Sequence, residues 1–169
     1  MSAIIVRATP RLRTLPGMLL PALATLLRDR NSVFTDSGLR ASYWSQPPAS
    51  SHIQAYIRII EGSGSDVPLS YVYLLAQRAQ LELMLHPRYP YPVPGMIHIR
   101  NEMMLDGALD LSQPLRVDVT AMPNTEYDRS GSGSHSVVFT VEIHQRHGRI
   151  AQCLSTYLAR RGERRRGSR

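Results

Sequence analysis

His98 lies between Ile97 and Ile99, with Arg100 and Asn101 close behind, in a stretch that alternates apolar and polar residues. A neutral imidazole can take a proton near neutral pH, so His98 is a candidate general base. A hydrogen-bonded structural histidine is the alternative reading. Asp66, two residues before Pro68, could be a lone carboxylate of raised pKa at a pocket mouth, or could cap the helix that follows. The other histidines have quieter readings. His86, just before Pro87, reads as a helix-end residue facing the dipole; His144 and His147 flank a hairpin turn and read as exposed; His52 and His135 lie in or beside loops. No histidine and carboxylate share the local spacing of a metal site. Gly62–Asp66 and Ser130–Gly133 are Gly/Ser-rich, yet neither has the strand-to-helix context and lysine of a phosphate loop. Arg78, Arg88, Arg100 and Arg116 remain as possible phosphate contacts.

Two elements must position these groups. Val72, Leu75, Ala76, Ala79 and Leu83 recur at helical spacing, which predicts one apolar-faced helix from Leu69 to about Leu85, roughly 25 Å long. Pro87, Pro90, Pro92 and Pro94 then forbid continuation. From Met96 the period becomes two: Ile97, Ile99, Met103 and Leu105 fall on one face and His98, Arg100 and Glu102 on the other, the pattern of a half-buried strand. Upstream, Leu15 to Leu27 reads as a surface helix, Gly38 to Trp44 as a first strand, and Ile53, Tyr56, Ile57 and Ile60 as a short helix capped by Ser50 or Ser51. Downstream, Leu115, Val117 and Val119 alternate as a strand. Val137, Phe139, Val141 and Ile143 pair across a turn at 145–148 with Ile150, Gln152, Leu154, Thr156 and Leu158 to make a hairpin. Short helices, one long helix and then four strands predict an α+β fold, an antiparallel sheet packed on one dominant helix. The expected division is 1–48 for the N-terminal helix and first strand, 49–160 for the core, and 161–169 for an arginine-rich disordered tail.

At 169 residues the chain can bury a core without metal or disulfide support, and its one cysteine, Cys153, reads as a buried small hydrophobe. One thiol and no cross-link fit a reducing cytoplasm. The apolar run Leu15–Leu27 is too short to span a bilayer, is broken by Pro16 and Pro21, and runs into Arg28-Asp29-Arg30, the wrong order for a signal peptide. The net charge is +7, but the tail Arg160–Arg169 holds six arginines against one glutamate, so the body is nearly neutral. A nucleic-acid partner is not expected. Such a tail can be a solvated appendage, a dock for an acidic partner, or a weak phosphate binder.

The run VPLSYVYLLAQ, followed by HPRYPYPVPGMIHIRNEM and later a strand ending CLSTYLAR, resembles the MaoC-like hydratase/dehydratase superfamily. It looks most like the N-terminal hot-dog repeat of the double-hot-dog 3-hydroxyacyl-thioester dehydratases of mycobacteria, over about Ile53 to Arg160. The resemblance implies a hot-dog sheet wrapped round the central helix and a place in fatty-acyl or polyketide thioester metabolism. The substrate it implies is an acyl thioester of coenzyme A or acyl carrier protein, with no cofactor. Active relatives bear Asp-x-Asn-Pro-x-His, with a backbone amide near the helix polarising the thioester carbonyl. Here the run is Asp66-Val67-Pro68-Leu69-Ser70: the asparagine is missing and Ser70 stands in the histidine's place. A serine hydroxyl is no base near neutral pH without a partner. The implied catalytic set is therefore Asp66, Ser70 and His98, with Tyr71, Gly95, Arg100 and Asn101 binding substrate. The activities implied are a 3-hydroxyacyl-thioester dehydratase/2-enoyl-thioester hydratase or the pocket-forming subunit of one; an acyl-CoA thioesterase and a non-catalytic acyl-binding or scaffold subunit are the alternatives. Single hot-dog domains expose a sheet edge, so a homodimer, or a heterodimer with a second hot-dog subunit, is expected.

Overall fold

The computed structural model describes residues 4–5, 11–28, 34, 37–60, 67–110, 112–125, 134–146 and 148–160. In chain order the elements are β1 (Ile4–Ile5), α1 (Leu15–Ala24, extended by a 3-10 turn at Thr25–Leu27), β2 (Leu39–Ser45), α2 (Ser50–Ile59), α3 (Leu69–Leu85), β3 (Ile97–Leu105), β4 (Leu115–Pro123), β5 (Ser134–Gln145) and β6 (Gly148–Arg160). They form one sheet of order β1-β2-β4-β5-β6-β3. β1 adds a two-residue parallel pairing to β2, and every other neighbour is antiparallel. This is the expected α+β arrangement.

α3 forms where its periodicity places it and buries Val72, Leu75, Ala76, Ala79 and Leu83 against the sheet, each 5% exposed or less. Ala76 and Ala79, with no accessible surface, let the helix backbone approach the strands closely. Facing it are Val117, Val119 and Ala121 of β4 and Val137, Phe139, Val141 and Ile143 of β5, which alternate as the sequence predicts. The proline-rich turn closes one end of the layer. Tyr89 and Tyr91 are buried and meet Phe34 edge-on at 5.3 and 5.8 Å.

Three arginines attach the N-terminal segment to α3. Arg28 donates to the carbonyls of Met84, Leu85, His86 and Tyr91, satisfying groups that a helix C-terminus leaves open. Arg13 donates twice to the buried carboxylate of Glu82, at 2.8 and 3.0 Å, and Arg78 donates to the carbonyls of Leu12 and Arg13.

Several local readings are corrected. α2 is capped by Ala49, without a side-chain bond, so Ser50 and Ser51 lie inside the helix rather than at its cap. In β6 the apolar set Ile150, Gln152, Leu154, Thr156 and Leu158 is not the core face beyond Ile150. The buried residues are Ala151, Cys153, Ser155, Tyr157 and Ala159, small or polar side chains that leave room for the close-packed helix. β3 is no half-buried strand: it is the edge of the sheet, with Ile97, Ile99, Met104 and Leu105 each 46–50% exposed. Its simple alternation is also interrupted. The register slips between His98 and Arg100, so Ile99 is the extra residue of a β-bulge. The bulge changes the phase, placing His98 opposite Tyr157, Asn101 opposite Ser155, and Met103 opposite Cys153.

Candidate functional site

The bulge turns His98 toward α3. Its Nδ1 lies 3.1 Å from the Tyr73 hydroxyl, its ring stacks on Tyr157 with centroids 4.4 Å apart, and Tyr73 stacks beyond at 6.1 Å. Tyr73 is one turn along α3 from Leu69, so the imidazole stands over the start of the helix. Behind it runs a buried polar chain. Tyr157 donates to Gln80 Oε1 at 2.8 Å, Gln80 Nε2 donates to Ser155 Oγ at 2.9 Å, and Ser155 donates to Asn101 Oδ1 at 2.9 Å. The Cys153 thiol also reaches Asn101 Oδ1, at 3.1 Å. Gln80 and Ser155 have no accessible surface, so these bonds replace the water the groups lose on folding.

This chain orients the imidazole. Burial, and next the Tyr73 phenol, push Tyr157 far above the ordinary tyrosine range; burial raises Tyr73 too, so both phenols keep their protons near neutral pH. Each then has one proton to donate. Tyr157 gives its proton to Gln80. Between the Tyr73 hydroxyl and His98 Nδ1 the donor is set by the imidazole tautomer. In the tautomer with the imidazole proton on Nδ1, Tyr73 accepts that proton and Nε2 is a lone-pair acceptor, the form a general base requires. Burial raises the Cys153 thiol above its ordinary pKa, which keeps it protonated and a donor to Asn101.

The other sequence-predicted residues are dispersed. Asp66 lies outside the described residues. Ser70 is exposed on the first turn of α3. Tyr71, on the flank of that turn, packs on Ile53 and Ile57 of α2, and its hydroxyl meets His52 Nδ1 at 3.0 Å. Gly95 is exposed in the turn before β3, with φ +94. Arg100 takes the outward phase of β3 and pairs with Glu102. Of the set, His98 and Asn101 come to one face.

The quiet histidines also move. His52 is the third residue of α2 and His135 the second of β5, each beside a loop as expected, but His135 is buried and stacked on Tyr91 at 5.2 Å. His144 is 22% exposed and lies 3.6 Å from Asp118, not free in solvent; His147 lies outside the described residues. His86 is not a cation on the helix dipole. Burial, then Arg88 and Arg28, depress its pKa, and its Nδ1 accepts from the Arg88 amide while Arg28 serves the helix end.

No protein-family model and no curated protein matches the chain. Solved structures do. HtdX of Mycobacterium tuberculosis superposes with a TM-score of 0.59 and 18% identity over 70% of this chain, which spans 51% of HtdX. The HadBC complex of the same organism, a 3R-hydroxyacyl-ACP dehydratase, gives a TM-score of 0.59 at 12% identity over 76% of this chain and 98% of that one. A monoamine oxidase regulatory protein from Archaeoglobus gives 0.57 at 10% identity, over 80% and 99%. The chain has the hot-dog fold. The resemblance to mycobacterial dehydratases is therefore matched in the way the chain folds.

Within this hot-dog, sequence reasoning missed Gln80, Ser155 and Tyr157. Gln80 carried a signal: it adjoins Ala79 on the buried stripe of α3, where an amide is retained only with partners. Ser155 and Tyr157 carried none, because the alternation of β6 pointed to the opposite face. Among the described residues no group of histidine, cysteine and carboxylates is placed to hold a metal ion, and no helix is long and apolar enough to cross a membrane.

Proposed function

We propose that this hot-dog chain acts on acyl thioesters of coenzyme A or acyl carrier protein, interconverting 2-enoyl and 3-hydroxyacyl forms. The observation that carries the reading is the tethered His98, its Nδ1 3.1 Å from the Tyr73 hydroxyl over the start of α3, so that in the Nδ1-protonated tautomer Nε2 is the base. Pro68, the N-cap of α3, makes no side-chain bond, so among the described residues the first-turn amides of Leu69 and Ser70 are open to the thioester carbonyl oxygen. His98 Nε2 removes the α-proton of a 3-hydroxyacyl thioester. The resulting imidazolium returns that proton to the departing β-hydroxyl, giving the enoyl thioester, water and neutral His98. Hydration is the reverse. Ser70, exposed on the same turn, holds the attacking water, and Asn101 steadies the strand through Ser155.

The pocket is completed across a dimer. Among the described residues β3 presents an unpaired edge bearing Ile97, Ile99, Met104 and Leu105, a surface that a second hot-dog subunit, identical or not, covers by strand pairing. A second reading, a pocket-forming subunit whose partner supplies the acid and base, is favoured by the serine at position 70.

The test is absorbance of a medium-chain trans-2-enoyl-CoA with the purified chain, free thiol being followed in the same cuvette. Loss of the enoyl band without thiol release is the expected result. Thiol release would make the protein a thioesterase, and no change in either signal would move the chemistry to a partner subunit.

A further inference from the structure

A second constellation lies on the outer face of the sheet, at the end remote from His98. Strand register aligns Trp44 of β2, Arg116 of β4 and His144 of β5 in one cross-strand row. With Pro114, Gln113, Gln145, Arg146 and Gly148 they line a cleft of about 460 Å³. That size falls within the range of small-molecule sites, roughly 300–1,000 Å³. The walls are braced: Gln145 accepts from the Asp110 amide at 2.9 Å and donates to the Asp110 and Gln113 carbonyls at 2.8 and 3.3 Å, tying the loop before β4 to the hairpin.

Three features define the occupant. Trp44, the penultimate residue of β2, takes the outward phase between the buried Tyr43 and Ser45 and leaves 44% of its surface open. A flat apolar face open to a cleft is a stacking platform for a planar ring. Arg116 gives one nitrogen to Asp118 at 3.2 Å and keeps its remaining donors, while Arg146 stands exposed at the hairpin tip; two guanidiniums on one rim match phosphate oxygens. Among the described residues His144 Nε2 is buried without a hydrogen-bond partner, 3.6 Å from Asp118 and 3.8 Å from Glu142. Those two carboxylates sit on the row behind, opposite each other, and the cleft's own lining contains no carboxylate.

We propose that this cleft binds a mononucleotide, with the base stacked on Trp44 and the phosphates held by Arg116 and Arg146. The nine residue steps along β6 from Gly148 to Tyr157 span about 30 Å, so the nucleotide is a ligand separate from anything at His98 on the same chain.

Trp44 is the only tryptophan in the sequence, so its emission reports this cleft alone. In the full-length protein, ADP is expected to change that emission saturably, with adenosine at least about tenfold weaker for want of phosphate contacts. Arg146→Ala and the bulk-preserving Arg146→Gln are each expected to weaken ADP by about tenfold, roughly one charge-assisted hydrogen bond, with the melting temperature unchanged. An emission response that fails to saturate by about 10 mM, beyond the weakest specific affinities, would overturn the proposal. So would equal affinity for adenosine and ADP, or undiminished ADP affinity in both folded Arg146 variants.

Discussion

A single inserted residue decides which side chains of β3 face α3. With Ile99 as a bulge, His98 and Asn101 share the inner face, two positions that strict alternation would separate. The proposed role of His98 then makes graded demands on its neighbours. His98→Ala is expected to lower turnover by about 10²–10⁴-fold, the usual worth of a general base, with little change in melting temperature because the ring lies on the exposed edge. Tyr73→Phe keeps the stacking but removes the acceptor for Nδ1–H. Turnover is expected to fall by about tenfold, the worth of one hydrogen bond, with KM little changed. Full activity in both variants would remove His98 from the mechanism. His86 makes a separate prediction about pH. Its folded-state pKa lies below the unfolded value near 6.5, so the unfolded chain binds the proton more readily. The sign follows: stability is unaffected above that value and is lost as pH falls through it. His86→Gln should therefore show a smaller drop in melting temperature between pH 7.5 and pH 5.5 than the parent chain.

At the scale of elements, α3 owes its position to both of its faces and to its end. Its buried stripe follows from the spacing of Val72, Leu75, Ala76, Ala79 and Leu83, but its C-terminus is completed by Arg28, 56 residues away from Met84 in sequence. Arg28→Ala would leave four carbonyls without this donor, and a loss of about 2–3 kcal/mol is expected in denaturant unfolding, the range for hydrogen bonds to a charged group. Arg28→Lys, a point charge without the planar fork, should recover only part of it. An unchanged midpoint in Arg28→Ala would show that water serves the helix end equally well.

For the whole molecule, the open question of assembly centres on β3. The strand order leaves it at one end of the sheet, and the apolar residues there, Ile97, Ile99, Met104 and Leu105, are half exposed. If this edge is the dimer surface, Ile97→Lys with Met104→Lys on the outward phase should shift sedimentation from dimer to monomer. Enoyl-thioester turnover should fall with it if the pocket is completed across that edge as proposed. A dimer unaffected by both lysines would place the interface elsewhere.

Helix α3, the strands β4 and β5 and the stop imposed by the prolines were legible in the sequence, because each is set by local spacing: a 3.6-residue or two-residue period needs only its own neighbours to be read. The α+β class followed from their order. The candidate site was legible only as the residue type His98 and its companion Asn101. Their common face depends on a bulge, which is fixed by pairing with β6 and leaves no mark in the alternation of Ile97, Ile99 and Met103. Gln80, Ser155 and Tyr157 come together across more than 70 residues of sequence, and their inward turn reflects the close approach of Ala76 and Ala79 to the sheet. Local pattern specifies which elements form; only their packing decides which polar side chains are buried together, because a buried hydrogen bond is chosen by the partner it meets in space.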